Sequence, residues 1–503
     1  MSKIAFVIFI FIFILLRPYI FQGSGFWYYG DDQDYFAHAS SIVFGQFPSY
    51  KKEYLTIDKN YPQSSIGSAV LSLPFVWSFS LIDRFNNADI VSHRSSENTT
   101  GSWTQFGFIF ASCFYFCAAC FLLYRGVLYC VEERYAYLSL VLTVLCQGLP
   151  LFAFRRPIFS HAGEFFLQSV FIFLLLRNST STKKFPQGLW QYVLVGTLAA
   201  LVYLTRYNNI GFALIFPCLL LLSSGFYVRS TKNWLSLFLL MISFVAMIGV
   251  FKIWPEIFNQ AHPYPWVKDH LLIKITAYDA IHRLGHIFFG LDWGLVYTAP
   301  YILIGSIGLF IFKYPAQKYF KWLFFVLGLD FYIVMIWGSQ GGWYGYRYFI
   351  ASAIPLLVLP VALFFKHMEE ALGQRLTLWW ALIAIPPVLS MICFEGNAGN
   401  LELYRSVQDF GVGDITNNLY QFHVWEIALF KPQQFIDIIS KGGVEYVHFL
   451  SVHILQKAGL LINQYFMLYS AFDGAVLLKT LMIYALPFVM AGFCCRLSKV
   501  DQR

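Results

Sequence analysis

The feature that most constrains this chain is a series of apolar stretches, each long enough to cross a bilayer as a helix. A transmembrane helix needs about 20 mostly apolar residues. Twelve such segments occur, at 4–21, 104–124, 135–153, 162–177, 189–205, 208–224, 234–254, 297–312, 319–337, 347–365, 376–394 and 474–494. Only 12% of the residues are charged, about half the usual share of a soluble domain. The sequence therefore predicts an all-α integral membrane protein with about twelve transmembrane helices.

Lysine and arginine positions decide whether a thirteenth apolar segment, 64–82, also crosses. If it does not, and the N-terminus lies inside, sixteen cations fall on inner segments and four on short outer connections. That bias agrees with the positive-inside rule, whereas counting 64–82 as a span reverses it. The segment is therefore predicted to lie on or dip into the outer leaflet, with a polar stripe of Ser64, Ser68 and Ser72.

The predicted location is the cell (inner) membrane. This topology places both termini in the cytoplasm. It divides the sequence into a transmembrane module, 1–394, with outer loops 22–103 and 255–296, then an outer loop region, 395–473, and a last helix with its tail, 474–503. The net charge of +8 reflects orientation in the membrane, so no nucleic-acid partner is expected. The sequence contains no Walker motif, which argues against an ATP-driven pump.

Charged residues are rare in membrane proteins and mark candidate functional sites. The first group is Asp31, Asp32 and Asp34, about ten residues after the first span. One interpretation is that they cap a helix and complement its dipole. Three acids within four residues are more than a cap needs. A carboxylate here could instead deprotonate an acceptor hydroxyl or hold a divalent cation.

A second group lies just before the fourth span and contains two adjacent arginines, a histidine and a glutamate. His161 and Glu164 are spaced i, i+3 on an opening helical turn and therefore point the same way. Glu164 could simply cap that helix. Arg155 and Arg156 lie on the side that should lack cations, and their guanidinium groups suit a phosphate.

Two further outer turns carry an arginine each. Arg206 follows the fifth span, and Arg347 ends a glycine- and aromatic-rich run that includes Trp343 and Tyr346. Both arginines could be interfacial anchors, and the aromatics could form an interfacial belt or a sugar platform. Acids in one outer loop and arginines in three others indicate one site at the outer face. It would combine a general base or a metal ion with arginines that bind an anion.

The same residues resemble the GT-C superfamily of integral-membrane glycosyltransferases, and most closely the bacterial relatives of protein O-mannosyltransferases and lipid A aminoarabinose transferases. Those enzymes place an acidic pair in the first outer loop, often followed by a tyrosine and a small residue. The matching positions are Asp31–Asp32, Tyr35, Ala39, Glu164, Arg206 and the stretches Gly294–Pro300 and Gly345–Pro355. Asp32 departs from the glutamate that the closest members often have, and 395–473 matches nothing in the family.

The resemblance implies a GT-C-like bundle with outer-face juxtamembrane helices and a hexosyl- or pentosyltransferase activity. The donor would be a sugar linked to polyprenyl phosphate, and the acceptor a hydroxyl of a glycolipid, polysaccharide or protein at the outer face. Asp31 would activate the acceptor, while Asp32, His161 and Glu164 would orient it or, with Asp31, hold Mg²⁺ or Mn²⁺. The donor phosphate would contact Arg155, Arg156, Arg206 and Arg347, and the substrate Tyr35, Trp343 and Tyr346. Metal dependence is left open.

Two other functions remain as alternatives. A secondary transporter should show inverted repeats and ionisable residues near the middle of the membrane. Asp330 is the main residue of that kind in this chain. An O-antigen polymerase or ligase would catalyse related chemistry with arginine-rich outer loops and would not need an acidic pair after the first span.

Overall fold

The structure is a computed structural model that describes residues 21–22, 25–26, 31–51, 61–62, 64–86, 103–146, 148–149, 153, 160–226, 231–260, 284–285, 287–288, 295–337, 347–372 and 379–387. The predicted first and last spans, the outer region 395–473 and several predicted site residues lie outside these ranges. Those site residues are Arg155, Arg156, Trp343 and Tyr346.

The regular secondary structure in the described part is helical apart from a short antiparallel pairing of Phe21–Gln22 with Gly25–Phe26. The first helices are α1 (Asp31–Val43), α2 (Gly67–Phe85), α3 (Trp103–Val127), α4 (Glu133–Leu140), α5 (His161–Thr180), α6 (Leu189–Thr205) and α7 (Ile210–Ser224). They are followed by α8 (Thr231–Ile248), α9 (Trp254–Phe258), α10 (Leu295–Thr298), α11 (Tyr301–Ile311), α12 (Gln317–Trp337) and α13 (Arg347–Leu372).

Among the residues that the structure describes, four helical stretches are long and apolar enough to cross a membrane: Trp103–Val127, Tyr207–Ser224, Asn233–Phe258 and Phe349–Ala371. Together with the apolar composition, they make this chain a membrane protein. The other predicted spans between 135 and 365 are also mostly helical. That twelve segments cross the bilayer remains a prediction.

The apolar segment 64–82 is a helix, α2, which packs against α1 and α3. Its serine stripe faces the protein: Ser68 and Ser72 are buried, whereas Trp77 is exposed. The Ser72 hydroxyl donates to the carbonyl of Ala69 at 2.7 Å, so its burial leaves no orphan donor. Small side chains on this face let neighbouring backbones approach closely. The stripe therefore serves packing between helices.

Helices α5 and α13 lie at the centre of the bundle. In the apolar window of α13, 89% of the residues are buried, and this helix packs against α4, α5, α11 and α12. In contrast, only 11% of the window in Asn233–Phe258 is buried. Within this stretch, α8 packs mainly against α6, where a Cβ on Gly196 would collide with the carbonyl oxygen of Leu240.

Two helices contain a π-helical turn, which inserts one extra residue. Val141–Leu145 continues α4, and Gly249–Ile253 joins α8 to α9. The second turn carries Lys252, whose ammonium pairs with Glu256 at 2.8 Å and lies 3.8 Å from the ring centroid of Tyr207.

Candidate functional site: a buried cluster around Glu164

The first turn of α5 carries two buried ionisable side chains. His161 is 2% exposed and Glu164 is 1% exposed. Their i, i+3 spacing places them on one face of the helix, as the sequence predicts. A carboxylate in the first turn interacts favourably with the helix dipole, but a buried charge also needs direct partners.

One carboxylate oxygen of Glu164 receives two neutral hydrogen bonds. The side-chain amide of Asn209 donates to Oε1 at 2.9 Å, and the hydroxyl of Ser352 donates to the same atom at 2.8 Å. Gln168, one turn further along α5, donates to the Ser352 hydroxyl oxygen at 2.7 Å. Oε1 is therefore held by side chains from the start of α7 and from α13.

The other oxygen, Oε2, faces the guanidinium of Arg206. Arg206 follows α6 in an extended backbone conformation and is 8% exposed. Its Nη1 lies 3.6 Å from Glu164 Oε2 and 3.0 Å from His161 Nδ1. Because a guanidinium can only donate, Nδ1 of His161 accepts and its ring hydrogen resides on Nε2. Within the described residues, Oε2 makes an ion pair but no hydrogen bond of normal length.

This geometry gives Arg206 a partner that differs from the predicted donor phosphate. The guanidinium is the counter-ion of Glu164 and also contacts His161. It therefore occupies the position where a metal ion shared by His161 and Glu164 would bind. Among the residues that the structure describes, no three His, Cys, Asp or Glu side chains group as metal ligands. The predicted set with Asp31 and Asp32 remains a prediction, because the side chains of these two lie outside the described part.

A second buried carboxylate extends the cluster. Arg206 Nε donates to Asn208 Oδ1 at 3.4 Å, and Asn208 Nδ2 donates to Asp330 Oδ1 at 2.8 Å. Asp330 is 3% exposed, and its Oδ2 has no hydrogen-bond partner in the part of the chain that the structure describes. The one mid-span acid that the sequence singles out is thus joined to Glu164 through Arg206.

Helix α1 reaches the same cluster. Asp31 and Asp32 open this helix, and the buried Tyr35, one turn later, donates its hydroxyl to Ser160 Oγ at 3.2 Å. Ser160 immediately precedes His161. The structure therefore brings together three of the predicted groups: the first outer helix, the His161–Glu164 turn and Arg206. Arg347, from the fourth group, opens α13 five residues before Ser352.

The connection from α1 to α2 is also fixed by polar contacts. Asp34 Oδ2 accepts hydrogen bonds from the amide and hydroxyl of Ser64 at 3.1 and 3.3 Å. His38, on the same face of α1, contacts the Ser64 carbonyl oxygen through Nε2 at 2.9 Å and the Tyr50 hydroxyl through Nδ1 at 2.8 Å. His38 is 0% exposed, and this burial lowers its pKa from 6.5 to about 4.

Four members of the cluster were not predicted from the sequence: Gln168, Asn208, Asn209 and Ser352. Asn208 and Asn209 adjoin Arg206 in a polar run between two apolar spans, and this run could have pointed to them. Ser352 is the one serine of α13, a long and largely apolar helix, and such a serine is an ordinary occurrence in membrane proteins.

Comparison with known proteins gives distant likenesses only. No family model matches the chain, and no curated protein matches it significantly. Solved structures of an oligosaccharyltransferase from Archaeoglobus fulgidus are similar to this chain. The complex with Zn and sulfate is 15% identical, covering 80% of this chain and 56% of that one, with a TM-score of 0.41.

Two further structures of that archaeal enzyme also match. The apo form is 11% identical and covers 88% of this chain and 56% of that one, with a TM-score of 0.38. AglB, in complex with an inhibitory peptide and a dolichol-phosphate, is 13% identical over 80% of this chain and 58% of that one, also with a TM-score of 0.38. This chain thus spans less than two thirds of the enzymes it resembles. With identities of 11–15% and TM-scores below 0.5, these likenesses carry no argument, and the conclusions about the site rest on its own geometry.

Proposed function

We propose that this chain is a glycosyltransferase that moves a sugar from a polyprenyl-phosphate donor to an acceptor hydroxyl at the outer face of the cell (inner) membrane. The observation that carries the proposal is the convergence of α1, the His161–Glu164 turn and Arg206 in one buried cluster. Burying an ion pair costs desolvation energy, so the buried Glu164–Arg206 pair, linked to the acidic helix α1 through the contact of Tyr35 with Ser160, supports a functional role.

In the proposed reaction Asp31 accepts the proton of the acceptor hydroxyl. The hydroxyl oxygen then attacks the anomeric carbon, the bond from that carbon to the phosphate oxygen breaks, and polyprenyl phosphate leaves. Arg155, Arg156 and Arg347 stabilise the charge on the leaving phosphate. Tyr35, Trp343 and Tyr346 contact the sugar or the acceptor, which is a glycan, lipid or protein.

The cluster around Glu164 gives Arg206 a different part in this proposal. Because Arg206 already balances Glu164, it fixes the turn after α6 against the start of α5. His161 and Asp32 orient the acceptor. A divalent cation such as Mg²⁺ or Mn²⁺, when bound, would add positive charge near the leaving phosphate, and Asp31 and Asp32 would be its ligands.

Membrane sidedness tests the outer-face assignment. Cysteines introduced at Ser95 and Asn417 should react with an impermeant reagent from outside, and a cysteine at Lys183 only after the inner face is opened. Labelling of the Lys183 position from outside would reverse the topology and place the proposed site in the cytoplasm.

An Asp31→Asn substitution tests the function directly. Asparagine caps a helix about as well as aspartate, so the melting profile should change little. An amide cannot take up the acceptor's proton, so transfer should fall about 100- to 10,000-fold. The readout is mass spectrometry of envelope glycans in cells that lack the chain and are complemented with wild type or variant. Full activity of both Asp31→Asn and Asp32→Asn would overturn the proposal.

The secondary transporter remains the second candidate, because Asp330 is a buried carboxylate within a helix of the bundle. A transporter would leave the glycan profile unchanged on deletion, and Asp330→Asn would abolish uptake of a solute. A transferase would lose the glycan product on deletion of the chain.

A further inference from the structure

We propose that His38 is a positioning residue for this site: its ring ties α1 to the Ser64–Ser65 pair, and this pair fixes the backbone that carries Arg206. The inference rests on the proposed function for its activity readout, while its structural readout is independent of any substrate.

The first step is the commitment of both ring nitrogens. Nε2 of His38 donates to the Ser64 carbonyl, because a carbonyl can only accept, and Nδ1 therefore accepts from the Tyr50 hydroxyl. The ring is fully buried and packs edge-on against Tyr50 and Tyr61, with centroids 5.3 and 6.0 Å away. A neutral histidine with its hydrogen on Nε2 satisfies every contact.

The second step runs from Ser64 to its neighbour. Asp34 and His38 are one turn apart on α1, and together they hold the amide, the hydroxyl and the carbonyl of Ser64. Ser65 then donates its hydroxyl to the carbonyl oxygen of Thr205 at 2.5 Å. Thr205 is the last residue of α6 and directly precedes Arg206.

Close packing makes this connection stiff. Gly67 lies against the end of α6, where a Cβ would collide with the Thr205 nitrogen and with the carbonyl carbon of Leu204. A shift of Ser64 and Ser65 therefore cannot be absorbed between α2 and α6. It is transmitted to the turn that holds Arg206 against Glu164.

The electrostatic surroundings of His38 are simple in the described part of the chain. Asp34 is the charged group that faces the ring from α1, and its charge favours protonation. The phenols of Tyr50 and Tyr61 face it from the segment between α1 and α2, and Glu256 from α9 acts on Tyr61. From α2's side the ring meets the Ser64 carbonyl. Burial outweighs Asp34, so the neutral ring is favoured.

Two substitutions separate the hydrogen bonds from the volume. His38→Gln keeps an N–H that can reach the Ser64 carbonyl and does not titrate, whereas His38→Phe keeps a ring but has no donor. Amide hydrogen exchange is measured by mass spectrometry on the full chain in lipid nanodiscs at pH 7. In His38→Phe, residues 64–67 and 205–209 should exchange about 10-fold faster or more, because a buried carbonyl loses its partner. His38→Gln should stay close to wild type.

The loop 178–186 serves as an internal control, since Asn178 holds it by comparable side-chain contacts with Phe185. Its exchange should not change. His367→Gln is the matched control variant, because that histidine is half-exposed and stacks on Phe312. Faster exchange at 64–67 with unchanged exchange at 205–209 would overturn the coupling.

Should His38→Phe fail to fold, Tyr50→Phe and Ser65→Ala provide the test. Tyr50→Phe removes only the hydroxyl at Nδ1 and should speed exchange at 64–67. Ser65→Ala leaves His38 intact and should speed exchange at 205–209. If neither variant changes the exchange rate of its segment, the proposal is overturned.

Sugar transfer in complemented cells is the second readout. It should fall in His38→Phe and be restored in His38→Gln. If wild type makes no glycan product, the proposed function fails while the exchange data still decide the coupling. If wild type is active and His38→Phe matches it in transfer and exchange, the positioning role is wrong.

Discussion

The hydroxyl of Ser352 donates to Oε1 of Glu164 at 2.8 Å, although 188 residues separate the two along the chain. Asn209 donates to the same oxygen at 2.9 Å. A carboxylate without exposure to water depends on such donors, because burying a charge without partners is strongly unfavourable. The contact makes the start of α5 and the second turn of α13 a single unit.

Ser352→Ala should weaken this unit without removing the charge. Glu164 Oε1 would keep Asn209, so the free energy of unfolding should fall by about 1–2 kcal/mol. The measurement is thermal unfolding in nanodiscs. Ser306→Ala is the control, since that hydroxyl donates within its own helix, to the carbonyl of Ile302. An equal loss in both variants would contradict a special role for the Ser352 contact.

Arg206→Ala should be far more destabilising, because it leaves Glu164 buried without a counter-ion. Breaking a buried pair from one side typically costs about 3–5 kcal/mol. The double variant Arg206→Ala with Glu164→Gln should recover part of that loss. Unfolding midpoints of the two single variants and the double variant give the coupling. A double variant no more stable than Arg206→Ala would show that the pair is not coupled.

Arg347 is expected to act on the donor. Arg347→Ala should weaken donor use more than Arg347→Lys, because lysine keeps the charge but loses the bidentate fork. Removing one charged partner of the phosphate from a partly buried site costs about 2–4 kcal/mol in the transition state, or roughly 30- to 1,000-fold in rate. Glycan analysis of complemented cells is the readout. Wild-type transfer in both variants would make Arg347 an interfacial anchor.

Stability should fall in mild acid because of His38. The pKa of His38 is about 4 in the folded protein, against 6.5 for an unburied histidine. Between these pH values the unfolded chain therefore binds more protons than the folded one. The free energy of unfolding should therefore fall as the pH is lowered from 6.5 to about 4, by up to about 3 kcal/mol. Unfolding midpoints of wild type and His38→Gln across this window check the effect. An equally steep loss in His38→Gln would assign it to other groups.

Gly67→Ala should disrupt the junction of α2 and α6, because the added methyl would collide with backbone atoms of Leu204 and Thr205 that cannot rotate away. We expect a lower unfolding temperature and loss of transfer. Gly328→Ala is the matched control: this glycine also lies within a helix, α12, and a Cβ there meets nothing within 4 Å. That variant should be neutral or slightly more stable. Wild-type stability of Gly67→Ala would contradict the close approach.

Local patterns carried much of the fold prediction. Apolar length predicts the helices, including the helix α2 in the segment 64–82. That this segment lies on or dips into the outer leaflet, as the cation bias predicts, remains a prediction. The i, i+3 spacing placed His161 and Glu164 together correctly, because that relationship is set within one helical turn.

Long-range contacts could not be predicted in the same way. The partner of Arg206 depends on how α5, α6 and α13 pack, and no spacing along the chain encodes it. The serine stripe of α2 illustrates the same limit. Its periodicity is visible in the sequence, yet whether that face meets lipid, water or protein depends on the helices beside it.

The poorly buried helix α8 has a consequence for handling this protein. With 11% of the apolar window of Asn233–Phe258 covered by the described protein, a bilayer around this stretch would be its principal packing partner. Extraction into a short-chain surfactant replaces that partner with a thinner and more mobile one. The contact that links this stretch to the site lies in the π-helical turn after α8, where the Lys252 ammonium rests on the ring of Tyr207, next to Arg206. We therefore expect the position of the Tyr207 ring, and with it the turn that carries Arg206, to depend on the lipid around this stretch.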